Sequence, residues 1–210
     1  MPAGITAAAP PQGSLVLLRH GETEWSKSGQ HTGHTDIPLT VRGEQVDPQI
    51  KELLKGRAFS LVLTSPLQRA RRTAALVGLD DAQIDDNLRE WDYGGYEGLT
   101  TTEVRARAGH PWTVFVDGVI PGAAPGSTPG ESIEEVAARC RKVLDRVMPF
   151  LVTGDVALVG HGHSLRILAA VFLRQELRFG SQILLDAGSV SVLGWEREMP
   201  VIDSWNRTLP

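Results

Sequence analysis

Three short apolar runs, each closing on polar residues, constrain the fold of this 210-residue chain more than any other feature. Leu15-Val16-Leu17-Leu18 ends on Arg19-His20-Gly21-Glu22-Thr23, Leu61-Val62-Leu63 leads into Thr64-Ser65-Pro66, and Val156-Ala157-Leu158-Val159-Gly160 meets His161-Gly162-His163. Short runs without alternation fit strands buried on both faces, as in parallel sheets covered by helices. Helical segments fall between them, so the chain reads as α/β. Open sheets of this class bind ligands beyond the carboxyl ends of their strands. Arg19, His20 and His161 therefore point towards one crevice.

The residue types there suit an anion. Arg19 is a permanent cation with a planar donor fork, and Gly21 lets backbone come close to a ligand. Ser65, Pro66 and Gln68 have the spacing of a capping-box helix start, which puts Arg69 in the first turn, where free N–H groups and the helix dipole also favour negative charge. Phosphate chemistry is the first expectation. Arg71 and Arg72 read instead as a solvated helix face.

Taken in order, Arg19-His20-Gly21-Glu22-Thr23, Ser65-Pro66-Leu67-Gln68-Arg69-Ala70, Arg89-Glu90-Trp91-Asp92-Tyr93-Gly94, Thr128-Pro129-Gly130-Glu131-Ser132 and Gly160-His161-Gly162-His163 resemble the landmarks of the histidine phosphatase superfamily, the phosphoglycerate mutase-like proteins. The resemblance implies a three-layer sandwich, a mostly parallel central sheet flanked by helices. It implies His20 as phosphate acceptor, Arg19, Arg69 and His161 as the phosphate pocket, and Glu90 as proton donor. A neutral imidazole can attack a phosphomonoester dianion in line while cations neutralise the equatorial oxygens, with no metal or other cofactor. Glu90 would protonate the leaving alkoxide and then activate water.

Within that superfamily the stretch from Gly94 to Gly130 is short and carries only Arg105 and Arg107 as basic residues, which favours hydrolysis over mutase chemistry. Ser26 stands where mutases often have Asn. The segment His20 to Thr40 and the run Gly160 to Arg166 look closest to the sedoheptulose-1,7-bisphosphatase branch, where Arg166 would meet a distal phosphate and Ser26, Thr32, Gly33, Tyr93 and Gly162 would line the substrate pocket. A sugar bisphosphate is thus the expected substrate class. A broad-specificity acid phosphatase is the alternative, and a phosphoglycerate mutase a more distant one.

The net charge of −4 offers no basis for nucleic-acid or membrane binding, and no run reaches membrane-spanning length. The expected partner is a small phosphorylated molecule; apolar positions on the last strands could also form a homodimer surface. His31, His34 and His163 have chelating spacings, but no completing cysteine or carboxylate set accompanies them, so no metal site is assigned. Cys140 shares a helical stripe with Val136, Ala137, Val143, Leu144 and Val147 and reads as a buried structural thiol. Residues 1–13, rich in Ala, Pro and Gly, read as a loose tail rather than a signal peptide, and residues 14–210 as one domain in a cytoplasmic protein. Further expectations are a helix from Arg42 to Lys55 interrupted at Pro48, a short strand within Gln83 to Arg89, a helix capped by Thr102, and a Ser132/Glu135 capping box. A helix from Ser164 to Leu173 and strands at Val190 to Trp195 and Val201 to Trp205 complete the reading.

Overall fold

The computed structural model describes residues 11–45 and 47–208, the side chains of 47–49 excepted. Residues 1–10 of the expected tail lie outside the described residues, but its end is docked. Gln12 and Gly13 donate backbone N–H groups to the Leu151 carbonyl at 3.0 and 2.8 Å.

The strands are β1 (Leu15–Arg19), β2 (Phe59–Thr64), β3 (Gln83–Ile84), β4 (Asp155–Gly160), β5 (Val190–Glu196) and β6 (Met199–Arg207). They form one sheet in the order β3-β2-β4-β1-β5-β6. The first four are mutually parallel, while β5 runs antiparallel to β1 and β6 antiparallel to β5. The three apolar runs are the three central parallel strands, and the register Arg19↔Gly160 brings His20 and His161 to the same edge.

Side-chain alternation divides the core. Leu15, Leu17, Leu63 and Leu158 face one layer with Val143, Leu165 and Leu168; Val16, Leu18, Val62 and Val159 face the other with Ile50, Ala70 and Ala74. The first layer holds α7 (Ile133–Val147) and α8 (Gly162–Phe172), and the second α3 (Asp47–Leu54) and α4 (Gln68–Leu76). This is the expected three-layer sandwich. Shorter helices α1 (Glu24–Ser28), α2 (Val41–Gln45), α5 (Thr101–Ala108) and α6 (Val114–Asp117) sit in the connections.

Local chemistry explains most helix ends and corrects several expectations. Ser132 and Glu135 do form a capping box on α7, with Ser132 N–H donating to Glu135 at 2.8 Å. α5 has one too, but Thr100 rather than Thr102 is its cap, paired with Glu103. The expected box at Ser65 does not form. α4 begins later, at Gln68, and its first N–H is taken at 2.8 Å by Asp36, a carboxylate from a distant loop. Gly21, expected to face a ligand, packs on backbone instead: a Cβ there would lie 2.5 Å from the Gly43 carbonyl. Cys140 is buried on the apolar stripe of α7 as expected, and burial pushes its thiol up to about 12.

Candidate active site

A cavity of about 170 Å³ opens at the carboxyl ends of β1 and β4. Its walls include Arg19, His20, Glu90, Tyr93, Gly162, His163 and Arg166, with Ser26, His31 and Thr32 from the loop after β1.

His20 is 5 % exposed, and its Nδ1 lies 2.7 Å from the Gly21 carbonyl oxygen. A carbonyl only accepts, so Nδ1 carries the hydrogen and Nε2 keeps a bare lone pair. Burial, reinforced by the guanidiniums of Arg69 and Arg19, holds the ring well below its ordinary range and therefore neutral. The result is an uncharged nitrogen nucleophile fixed in one tautomer. Arg19 beside it donates Nη1 to the Leu185 carbonyl, while its buried Nε has no partner among the described residues. Gly162 makes that position possible, since a Cβ there would stand 3.2 Å from Arg19 Cζ.

Arg69 and His161 come next to His20, the His161 ring centroid 5.1 Å from that of His20. Arg69 is fully buried; it donates Nη2 to the carbonyls of Thr32 and Gly33 at 3.1 and 3.0 Å and Nη1 to that of Thr35 at 2.9 Å. Its Nε donates to His161 Nδ1 at 3.2 Å. His161 Nε2, the remaining ring nitrogen, lies 2.7 Å from Ser65 Oγ, so the ring is a neutral link rather than a cation. Burial first, then Arg69, depresses it well below the usual imidazole range. Ser65, whose Oγ also accepts the Leu67 N–H at 3.3 Å, is thus an anchor for His161 as well.

Glu90 is 5 % exposed and lies against the amino end of α8. Its Oε1 accepts from the backbone of Trp91 and Ser164, both at 2.8 Å, and its Oε2 from His163 N–H alone, at 3.0 Å. Helix amino ends favour such a carboxylate. The same carboxylate opposes the effect of burial on Arg19 and Arg69, whose guanidiniums burial lowers.

The expected substrate contacts divide. Thr32, Tyr93, Gly162 and Arg166 line the cavity, as does Ser26. The Ser26 hydroxyl, however, is engaged in the capping box of α1, donating to the Thr23 carbonyl at 3.0 Å. Gly33 is not on the wall. Its N–H is held by Glu97 at 2.9 Å, and a Cβ would collide with Glu97 and the Trp91 carbonyl, both 2.6 Å away. Arg166 donates Nε to the Gly180 carbonyl at 2.7 Å and stacks 4.5 Å over Phe115, and among the described residues its outer fork has no hydrogen-bond acceptor. His163 also faces the cavity, at 2.5 Å from the Tyr93 hydroxyl. Arg71 and Arg72 lie on the exposed face, Arg72 pairing with Glu44 at 2.8 Å. Among the described residues no cluster of three or more His, Cys, Asp or Glu could hold a metal.

Four positioning residues were not singled out by the sequence reading. Asp36 caps α4, and Glu97 gathers the N–H groups of Gly33 and Thr35. Glu131 accepts two bonds from Arg139, at 2.8 and 3.0 Å, and a third from Asp92 N–H at 3.0 Å. Arg139 in turn holds the carbonyls of Asn87 and Arg89. The two therefore clamp the segment that carries Glu90. Glu131 stood inside a noted motif; Arg139, beside Cys140 at the edge of the α7 stripe, was the signal available for its partner.

The profile of the histidine phosphatase superfamily (branch 1) matches residues 15–208. The chain belongs to that superfamily. It is 34 % identical over 184 residues to an acid phosphatase of Mycobacterium tuberculosis, covering 87 % of this chain and 86 % of that one. To the sedoheptulose 1,7-bisphosphatase of Saccharomyces cerevisiae it is 35 % identical over 187 residues, covering 75 % and 66 %. A 2,3-bisphosphoglycerate-dependent phosphoglycerate mutase of Azorhizobium caulinodans is 33 % identical, with 88 % and 97 % covered. The solved structure of a Mycobacterium tuberculosis open reading frame product superposes with a TM-score of 0.85 at 32 % identity, covering 94 % and 98 %. Family and relatives together make this histidine phosphatase an enzyme of phosphomonoester hydrolysis. No helix among the described residues is long and apolar enough to cross a membrane.

Proposed function

We propose that this phosphatase acts without a metal, through a phosphohistidine on His20, on a sugar phosphate or bisphosphate such as sedoheptulose 1,7-bisphosphate. The observation that carries the mechanism is the Nδ1–H···O contact to Gly21, which leaves Nε2 neutral and bare at the cavity wall. The Nε2 lone pair forms a bond to phosphorus as the phosphorus–oxygen ester bond breaks. Glu90, having taken up a proton as the phosphate dianion enters, gives it to the departing oxygen through Oε2, the less engaged of its oxygens. In the second step Glu90 takes a proton from water, the water oxygen bonds to phosphorus, and His20 leaves. The Arg19 guanidinium, which lines the cavity beside His20, and the backbone of Gly162 receive the phosphoryl oxygens. Arg69 acts from behind, fixing the 32–35 loop and supplying positive potential to His20, and the neutral His161 holds the Arg69 Nε.

The sugar bisphosphate assignment rests on Arg166, whose free fork is suited to a second anion. A broad-specificity acid phosphatase is the second reading, favoured by the 170 Å³ cavity, which is small for a long bisphosphate. Phosphate release from sedoheptulose 1,7-bisphosphate, fructose 1,6-bisphosphate and p-nitrophenyl phosphate, in excess chelator, separates the readings. A strong kcat/KM preference for a bisphosphate, reduced far more than aryl phosphate turnover by Arg166→Ala, supports the first. Equal losses remove the distal role of Arg166, and silencing by chelator overturns the mechanism.

A further inference from the structure

We infer that His163 is a specificity-determining donor for an oxygen on the part of the substrate that is not transferred, and that Tyr93 is the positioning residue that fixes its tautomer. This rests on the phosphatase reading of the same site. His163 Nδ1 faces the Tyr93 hydroxyl at 2.5 Å. Among the described residues Nε2 has no protein hydrogen bond, and it is not one of the sealed, unpartnered atoms, so it opens to the cavity that the ring lines.

A phenol is a stronger donor than a neutral imidazole N–H, and an imidazole nitrogen a stronger acceptor than a phenol oxygen. Burial keeps both groups neutral, raising the phenol well above its usual range and lowering the imidazole well below its own. The short contact is therefore O–H donating to Nδ1, and Nε2 carries the hydrogen. Tyr93 cannot give its proton to a ligand while it does this.

The place where that Nε2–H acts is defined by Phe115. The His163 ring packs edge-on to Phe115 at 5.1 Å, and the Arg166 guanidinium lies on the same ring at 4.5 Å. His31, packed on Tyr93 at 4.8 Å, backs the phenol from the loop after β1. One aromatic platform thus presents a neutral donor and a cationic fork side by side. The ligand chemistry that answers both is an oxygen-bearing chain, a polyhydroxylated phosphate ester with alcohol or second phosphoryl oxygens. A nitrophenyl group offers only the weakly accepting oxygens of its nitro group there.

The test is the ratio of kcat/KM for fructose 1,6-bisphosphate to that for p-nitrophenyl phosphate in the full chain and in His163→Leu, His163→Gln and Tyr93→Phe. All three substitutions keep the backbone N–H that holds Glu90. Loss of a hydrogen bond to an ionised oxygen lowers the ratio about 10- to 100-fold in His163→Leu. His163→Gln, whose amide can donate from a similar position, restores part of it; Tyr93→Phe lowers it less, chiefly through KM. Nitrogen-15 NMR of the unsubstituted protein shows His163 protonated at Nε2 and bare at Nδ1, and added fructose 1,6-bisphosphate moves the Nε2 signal. An unchanged ratio, a proton on Nδ1, or an Nε2 signal indifferent to bisphosphate overturns the inference. If the protein hydrolyses neither ester the phosphatase reading fails, while the NMR titration still decides the role of His163.

Discussion

Replacing Glu131 by Gln tests whether the donor segment is held as the structure shows. The carboxylate receives two N–H groups from Arg139 and one from Asp92. The side chains are only 21 % and 11 % exposed, so the pair is not a solvated surface bridge. Gln keeps one accepting oxygen but turns an NH2 towards a donor and leaves the guanidinium without its counter-charge. Removing one partner of a buried pair costs about 3–5 kcal/mol, and the retained acceptor and residual solvent contact bring the expectation to about 2–3 kcal/mol. For a domain of this size that lowers Tm by roughly 4 to 12 °C, measurable by thermal unfolding followed by circular dichroism. Activity should fall as well. Arg139 holds the Arg89 carbonyl, the Glu131 carbonyl accepts from Trp91 Nε1 at 2.8 Å, and Glu90 lies between those two contacts. A shift near 1 Å at a reacting group is worth about 100-fold, so a loss of kcat of roughly 10- to 100-fold is expected, with KM changing less. Arg139→Gln should resemble it, and the double substitution should lose less than the sum. A Tm within about 2 °C of the parent, with kcat within about 2-fold, would refute the clamp.

Other consequences follow from the same contacts. Gly162→Ala brings a Cβ to 3.2 Å from Arg19 Cζ, so kcat/KM should fall about 10-fold by displacement of the guanidinium; full activity would show that Arg19 is not set by that contact. Asp36→Ala removes the acceptor of the first α4 N–H and should cost about 1 kcal/mol in urea unfolding, with no such loss in Asp36→Asn. Stability should decline on the acid side. His20, His161 and His163 are held well below their ordinary range by burial and neighbouring cations, and burial takes His31 down to about 4. The unfolded chain binds those protons below about pH 6.5 and the folded one does not, so stability rises with pH through that window. Four such groups set a slope that approaches about 5 kcal/mol per pH unit roughly one unit below pH 6.5, and a Tm flat from pH 7 to 5 would contradict their neutral burial.

Strand ends were the most legible part of the chain. Short apolar runs identify buried strands, and a histidine directly after one lies at the ligand-binding edge of a parallel sheet, which placed His20 correctly. Capping boxes were legible where both partners lie within four residues, as at Ser132. What failed was decided at long range. Ser65 has the spacing of a cap and its hydroxyl does accept the Leu67 N–H at 3.3 Å, but no box with Gln68 closes, and His161, brought beside it by the pairing of β2 with β4, bonds the same hydroxyl at 2.7 Å. Gly33 looks like a ligand-facing glycine in a loop, but Glu97 claims its N–H. Arg69 was recognised and its neighbourhood was right, whereas the loop carbonyls that occupy its donors have no local signature.

The central claim is that phosphorus passes through His20 Nε2. Rapid mixing with substrate, alkaline quench and peptide mass spectrometry would test it most directly. The mechanism predicts a transient phosphoryl group on the peptide containing His20, formed within the first turnover, stable to alkali, lost in acid and absent from His20→Ala. Turnover with no phosphoryl group on His20, or with one on another residue, would contradict it.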